Sequence, residues 1–121
     1  MPPTDLVFFR DDDGVVPLLD WLAGIDQDAR IKCIARLARL AALGYELRRP
    51  EADMLRDGIY ELRVGLRGTN YRMLYFFAGR NAVVVSHGLT KESRVPSAEI
   101  EQAIIHMRSY LANPSTHTHR E

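Results

Sequence analysis

The stretch IYELRVGLRGTNYRMLYFF, residues 59–77, decides how this chain folds. Its aromatic and β-branched residues suit a pleated, half-buried surface, so it reads as two strands around the turn signal RGTN. With Gly68-Thr69 as a two-residue type II′ loop, Arg67 pairs with Asn70, Gly65 with Arg72 and Arg63 with Leu74. Opposite residues share a face. Tyr60, Leu62, Val64, Leu66, Tyr71, Met73, Tyr75 and Phe77 then make an apolar face suited to covering helices. Arg63 and Arg72 lie on the other face as diagonal neighbours.

Working outward, AGRN (residues 78–81) offers a second tight turn with Gly79-Arg80 central. It leads into a strand over 82–88, pairs Phe77 with Ala82 and Leu74 with Val85, and puts His87 opposite Arg72. Leu74, Phe76, Val83 and Val85 join that face, so its far half is apolar. Lys91 and Arg94 follow in the loop just beyond. The same spacing also describes a solvated sheet face with Glu61 pairing one arginine, and the residues alone leave both readings open.

Upstream, DLVFFR (5–10) reads as a strand and DDDG as a turn. Pro17 suits the first position of a short helix over 17–25, whose Leu18, Leu19 and Leu22 form an apolar side and whose Trp21 packs. Asp26 caps a second helix that runs to about Leu43 and stops at Gly44. Ile34, Leu37, Ala38 and Ala41 mark its buried face. Lys32, Arg36 and Arg39 form a basic stripe on it, which serves either as a solvated face or as a contact to RNA phosphates. Residues 45–58 read as a connecting loop. Ser97 caps a last helix with Ile100, Ala103, Ile104, Met107 and Leu111 on one face, ending at Asn113-Pro114.

The expected fold is α+β: an N-terminal strand, two helices, an antiparallel three-strand meander and a C-terminal helix. The 121 residues suit one domain over 1–112, with 113–121 as a disordered tail. Sixteen basic residues balance sixteen acidic ones, so overall charge gives no argument for nucleic acid. No apolar run has the length of a membrane span, and the N-terminus lacks a signal-peptide pattern, so a cytoplasmic protein is expected. Cys33 is alone and sits in a helical pattern as a small core residue. His87, His106, His117 and His119 lack tight metal-ligand spacing except in the tail, where THTHRE reads as an unstructured end rather than a loose metal site, and neither a metal nor another cofactor is expected.

Paired guanidiniums match phosphate oxygens, and a neighbouring His can move a proton near neutral pH. Phosphodiester cleavage without a metal is easiest on RNA, whose 2′-OH supplies an internal nucleophile.

The ordered series LRDGIYELRV, NYRMLYFF, VVVSHGLTKES and P-x-x-E-I-x-x-A resembles the HigB-type branch of the RelE/ParE toxin superfamily, which includes phage-derived proteins. The likeness covers about residues 5–112. It implies a RelE-like microbial RNase fold and a type II toxin, an mRNA interferase acting on the translating ribosome. It also implies a helix-turn-helix, HigA-like antitoxin through which operator DNA is bound. Carried over, Arg72 in "YR" binds the scissile phosphate, Arg63 is the basic residue of the preceding strand, and Lys91 neutralises the transition state or leaving group. His87 matches the "HG" of this branch and serves as base or acid, with Glu61 or Glu92 as alternatives. Two departures are visible: RVPSAE replaces a region where the RNases often carry a Tyr, and the chain is neutral rather than basic. The other readings are a ParE-like inhibitor that binds DNA gyrase and a phage-derived interaction protein.

Overall fold

The structure is a computed structural model that describes residues 4–90 and 93–121. Strand β1 (Asp5–Phe9) leads into helix α1 (Pro17–Gly24) and helix α2 (Gln27–Leu43). Then come β2 (Ala52–Arg56), β3 (Ile59–Leu66), β4 (Thr69–Ala78) and β5 (Ala82–Thr90). Helix α3 (Ser97–Ala112) and the short β6 (Thr118–His119) finish the chain. The six strands form one sheet in the order β2-β3-β4-β5-β1-β6. Only β1 and β5 run parallel; the other pairs are antiparallel. The α+β fold expected from the sequence is present, and it is compatible with a RelE-like architecture.

Helices cover both faces of the sheet. Leu18, Leu22, Cys33, Leu37 and Leu40 from α1 and α2 pack with Phe8, Leu62, Val64, Met73, Tyr75, Val83 and Val85. On the opposite face Ile100, Ala103, Ile104 and Tyr110 of α3 pack with Val7, Phe9, Ile59, Leu74, Phe76, Val84 and Leu89. Burial on both sides explains the continuous apolar run LVFF in β1 and VVV in β5. Trp21 of α1 lies so close over Gly88 that a Cβ there would meet its ring at 2.1 Å. Only glycine admits the indole, and this contact sets how α1 sits on β5.

Local chemistry accounts for the ends of the elements. Asp11 Oδ1 accepts from the amides of Asp13 and Val15, both at 2.9 Å, and closes the DDDG turn. Asp26 caps α2, accepting from the amides of Asp28 and Ala29 at 3.1 and 3.3 Å. Gly44, at φ +53°, stops α2.

Five sequence expectations change. The buried face of α2 is Ala29, Cys33, Leu37 and Leu40, whereas Ile34 is 53% exposed. The helix is rotated by about one position because Cys33 and Leu40, rather than Ile34 and Ala41, meet the sheet. In α3, Tyr110 and His106 are buried while Leu111 is exposed, and Ser97 begins the helix instead of capping it. Its hydroxyl accepts from Arg56 at 3.1 Å. Residues 52–56, expected in a loop, form the edge strand β2 against β3. Residues 113–121, expected to be disordered, fold back along β1. His117 Nδ1 bonds the Arg10 carbonyl at 2.7 Å, β6 pairs with Phe8 and Phe9, and Arg120 grips Asp5 at 2.7 Å.

Among the described residues no helix is long and apolar enough to cross a membrane.

Candidate functional site on the sheet face

The register of β3, β4 and β5 places the ionisable side chains. The β3–β4 turn is Arg67-Gly68, both at positive φ, the geometry of a type I′ hairpin. Leu66 therefore faces Thr69, and Arg63 stands directly opposite Arg72. The expected turn lay one residue later and gave a diagonal pair. Each pairing shifts by two residues, which keeps every side chain on its face. The shared face of the two arginines survives, and they come closer than the sequence suggested.

The β4–β5 connection uses three residues instead of two, so Ala78 faces Ala82. One extra residue inverts the faces, and Val83 and Val85 enter the α1/α2 core rather than joining the arginine face. A bulge between Val85 and His87 then inverts them again. His87 returns to the arginine face, opposite Leu74 instead of Arg72, whose partner is Leu89. Glu61, Leu74 and His87 thus form one row across three strands, and Arg63, Arg72 and Leu89 form the next.

Glu61 is only 2% exposed and serves both arginines. The Arg63 Nε donates to its Oε1, and Arg72 places a terminal nitrogen 3.6 Å from the same oxygen. Arg63 also reaches Asp53 on β2 at 3.3 Å, and Asp53 pairs with Arg49 at 3.0 Å. These contacts hold the Asp53 carboxyl below the usual range, the Arg49 hydrogen bond contributing most. Three guanidiniums share two carboxylates here, an excess of one positive charge. The Nε of Arg72 is buried with no hydrogen-bond partner among the described residues. Such an orphaned donor costs roughly 1–3 kcal/mol.

His87 lies beneath the first turn of α3. Its Nε2 is 2.9 Å from Glu99 and its Nδ1 2.7 Å from the Ser86 hydroxyl. The same hydroxyl is 2.7 Å from His106 Nδ1, whose Nε2 meets the Gln102 side-chain amide at 2.8 Å. One assignment satisfies every atom with both rings neutral. Gln102 donates to His106, His106 donates to Ser86, Ser86 donates to His87, and His87 donates to Glu99. Burial lowers the pKa of His87 from its ordinary value, although the Glu99 hydrogen bond opposes the shift. Burial, aided by His87, brings His106 down to about 4. Both rings are therefore uncharged at neutral pH in this arrangement.

The other expected residues lie elsewhere. Lys32 donates to the Gly65 carbonyl at 3.3 Å, and Arg36 donates to the Arg63 carbonyl. Arg39 makes a bidentate bond to Glu51, one arm at 2.7 Å. The basic stripe thus ties α2 to β3 and to the start of β2. Arg94 is exposed after β5. Lys91 and Glu92 lie outside the described residues. Cys33 is buried, and burial raises its thiol to about 11, as suits a core residue. Among the described residues no group of three or more His, Cys, Asp or Glu could hold a metal ion.

Sequence reasoning missed Ser86, Glu99, Gln102 and His106 as a unit. A signal existed: Glu99, Gln102 and His106 recur at i, i+3 and i+7, a polar line along α3 beside its apolar one. Asp53 was missed because its strand was read as a loop.

Residues 20–108 match the family model described as Phage derived protein Gp49-like (DUF891). The match runs from α1 through most of α3 and includes Glu61, Arg63, Arg72 and His87. No curated protein matches the chain. The chain belongs to the Gp49-like family of phage-derived proteins, a RelE-type, toxin-like family.

Proposed function

We propose that this Gp49-like protein is the toxin of a type II toxin–antitoxin pair, of the HigB type, and that it cuts messenger RNA on the ribosome. The observation that carries the reading is the opposed pair Arg63 and Arg72, which shares one buried carboxylate and keeps positive charge in excess. Guanidinium forks fit phosphate oxygens, and stabilising charge as it builds on a phosphorane is their natural chemistry. RNA brings its own nucleophile, the 2′-OH, so the chemical step is metal-independent. In this reading Arg72 and Arg63 hold the scissile phosphate, Lys91 neutralises the leaving oxygen, and His87 carries the proton. Arg94 and the stripe Lys32, Arg36 and Arg39 supply phosphate contacts that position without reading sequence. The partner is a helix-turn-helix, HigA-like antitoxin, and operator DNA is contacted only through it. The setting is the cytoplasm.

One observation favours a second reading, a ParE-like inhibitor that binds DNA gyrase. Both ring nitrogens of His87 are occupied, and the residue is 8% exposed beneath α3. A binding inhibitor needs no free base.

The test is purified protein with translating ribosomes, followed by mapping of mRNA 5′ ends. New ends bearing upstream 2′,3′-cyclic or 3′-phosphate termini support the nuclease. Intact messages together with inhibited gyrase supercoiling support the inhibitor.

A further inference from the structure

The sheet edge next to the arginine cluster carries a second feature. Between the end of α2 and strands β2, β3 and β4 lies a cleft of about 540 Å³. That is within the roughly 300–1,000 Å³ of pockets that enclose small ligands. Its wall is aromatic. Tyr45 stacks on Phe77 with ring centroids 3.8 Å apart and planes 20° from parallel. Tyr60 stands edge-on to Phe77 at 5.2 Å. Tyr45 is nonetheless 57% exposed, so Phe77 supports one face of the ring and the other is open.

Arg48, Arg49 and Met54 form the rim. Met54 is 55% exposed, and the side chain of Arg49 is 76% exposed. The cleft is continuous with the arginine face around the edge strand. Asp53 lines it, pairs with Arg49 at 3.0 Å and touches Arg63 at 3.3 Å. A chain passing over β2 would thus meet Tyr45 and Arg48 on one side of the sheet and Arg63 on the other.

We infer that this cleft is a base-binding subsite for single-stranded RNA, in which a base stacks on Tyr45 and the rim arginines take the flanking phosphates. Stacking platforms beside basic groups are how single strands are held without sequence readout. A folded protein partner would instead want a broad apolar patch, and this cleft is aromatic and carries Arg48 and Arg49 in its lining. The inference rests on the RNA reading of the Arg63–Arg72 face. It adds a subsite at which the substrate is gripped away from the bond that breaks.

The experiment is anisotropy of a fluorescein-labelled, mixed-sequence RNA decamer, without ribosomes, over a salt series. Tyr45→Ala should weaken binding about 5- to 150-fold, the range that loss of one base stack of ~1–3 kcal/mol implies. Tyr45→Phe should bind as the parent does, because the ring and not the hydroxyl is used. Arg48→Ala should lower the salt slope by about one phosphate contact. Parent-like affinity in Tyr45→Ala overturns the inference, as does failure of the parent protein to bind the decamer. A Tyr45→Ala protein that binds RNA normally but loses its antitoxin also overturns it, and makes the cleft a protein-docking surface. Cleavage on ribosomes by Arg72→Ala is scored in parallel. Loss of cutting there with normal RNA binding in Tyr45→Ala leaves the nuclease standing and the subsite refuted. Normal cutting by Arg72→Ala with weak binding in Tyr45→Ala leaves the subsite standing and refutes the Arg72 phosphate site.

Discussion

Replacing Arg72 with Ala is the most informative perturbation, because its effects on fold and on chemistry differ in size. The Arg72 side chain is 13% exposed, and its nearest carboxylate oxygen, on Glu61, is 3.6 Å away. Removing one partner of a buried ion pair commonly costs about 3–5 kcal/mol, since it strands the other charge. Here that figure is an upper bound. Glu61 keeps the hydrogen bond from Arg63, and the variant also removes the orphaned Nε of Arg72. A net loss of about 1–2 kcal/mol follows, and in a domain of this size each kcal/mol moves Tm by roughly 3–5 °C. The chemical loss should be larger, because deleting one donor to a developing oxyanion typically slows a reaction ~10²–10³-fold. Arg72→Ala should therefore remain folded by circular dichroism, unfold cooperatively in urea slightly below the parent, and no longer arrest growth when expressed. Arg72→Lys should recover charge but not the fork, and so only part of the activity. Full toxicity in a folded Arg72→Ala protein would refute the phosphate-site reasoning.

Three further outcomes are expected. Stability should fall as pH drops from about 6.5 towards about 4, because His106 is neutral in the fold with its pKa lowered to about 4 and must take a proton that the unfolded chain binds readily. The stabilisation is complete above 6.5 and is lost by up to about 3 kcal/mol across that window, which urea melts at pH 7.0, 5.5 and 4.5 would reveal; a flat profile contradicts the neutral network. Gly88→Ala should cost about 1–3 kcal/mol or more, since the new methyl would lie 2.1 Å from the Trp21 ring, and the shift should appear in Tm and in tryptophan near-ultraviolet dichroism. Truncation after Ala112 should lower Tm, because it strips β6 and the His117 ring, stacked at 5.1 Å, from Phe9; an unchanged Tm would mean that the last residues add nothing to the fold.

What was legible in the sequence follows the strength of local chemistry. Asp26, Pro17 and Gly44 act through their own neighbours, and the helix ends they imply are where the structure has them. The common face of Arg63 and Arg72 was legible because strand parity survives any even slip. The exact pairing was not, since the type I′ turn puts Arg67 at φ +51°, a conformation that an arginine does not advertise. The bulge at Ser86 left no local mark either. Its cause is tertiary: Val83 and Val85 are needed on the helix face occupied by α1 and α2, and His87 on the face occupied by α3. Strand β2 reads ADMLR, poor in β-branched residues, and exists because β3 presents an edge for it. The polar THTH of the last residues hid β6 for the same reason: its order comes from β1 and from Arg10.

The position of α3 is where the nuclease and the inhibitor readings part. Its first turn is fastened twice to the sheet, by Arg56 to Ser97 and Glu101 and by Glu99 to His87. The second fastening uses the nitrogen that proton transfer would need. Neutral His87 with its Nε2 proton on Glu99 has one acceptor left, Nδ1, and Ser86 fills it. In the nuclease reading the base for the 2′-OH is either His87, after α3 yields, or a carboxylate such as the buried Glu61, the only one among the described residues that touches both arginines. The first route makes opening at Glu99 part of the reaction and ties activity to how firmly α3 is held. The second leaves α3 as a structural lid, and requires Glu61 to trade an arginine for the substrate as phosphate enters. Phosphate competes for the same guanidiniums as Glu61, so binding itself would loosen that carboxylate. The first route keeps His87 as the proton carrier, whereas the second assigns it to holding α3 while Arg63 and Arg72 change partners.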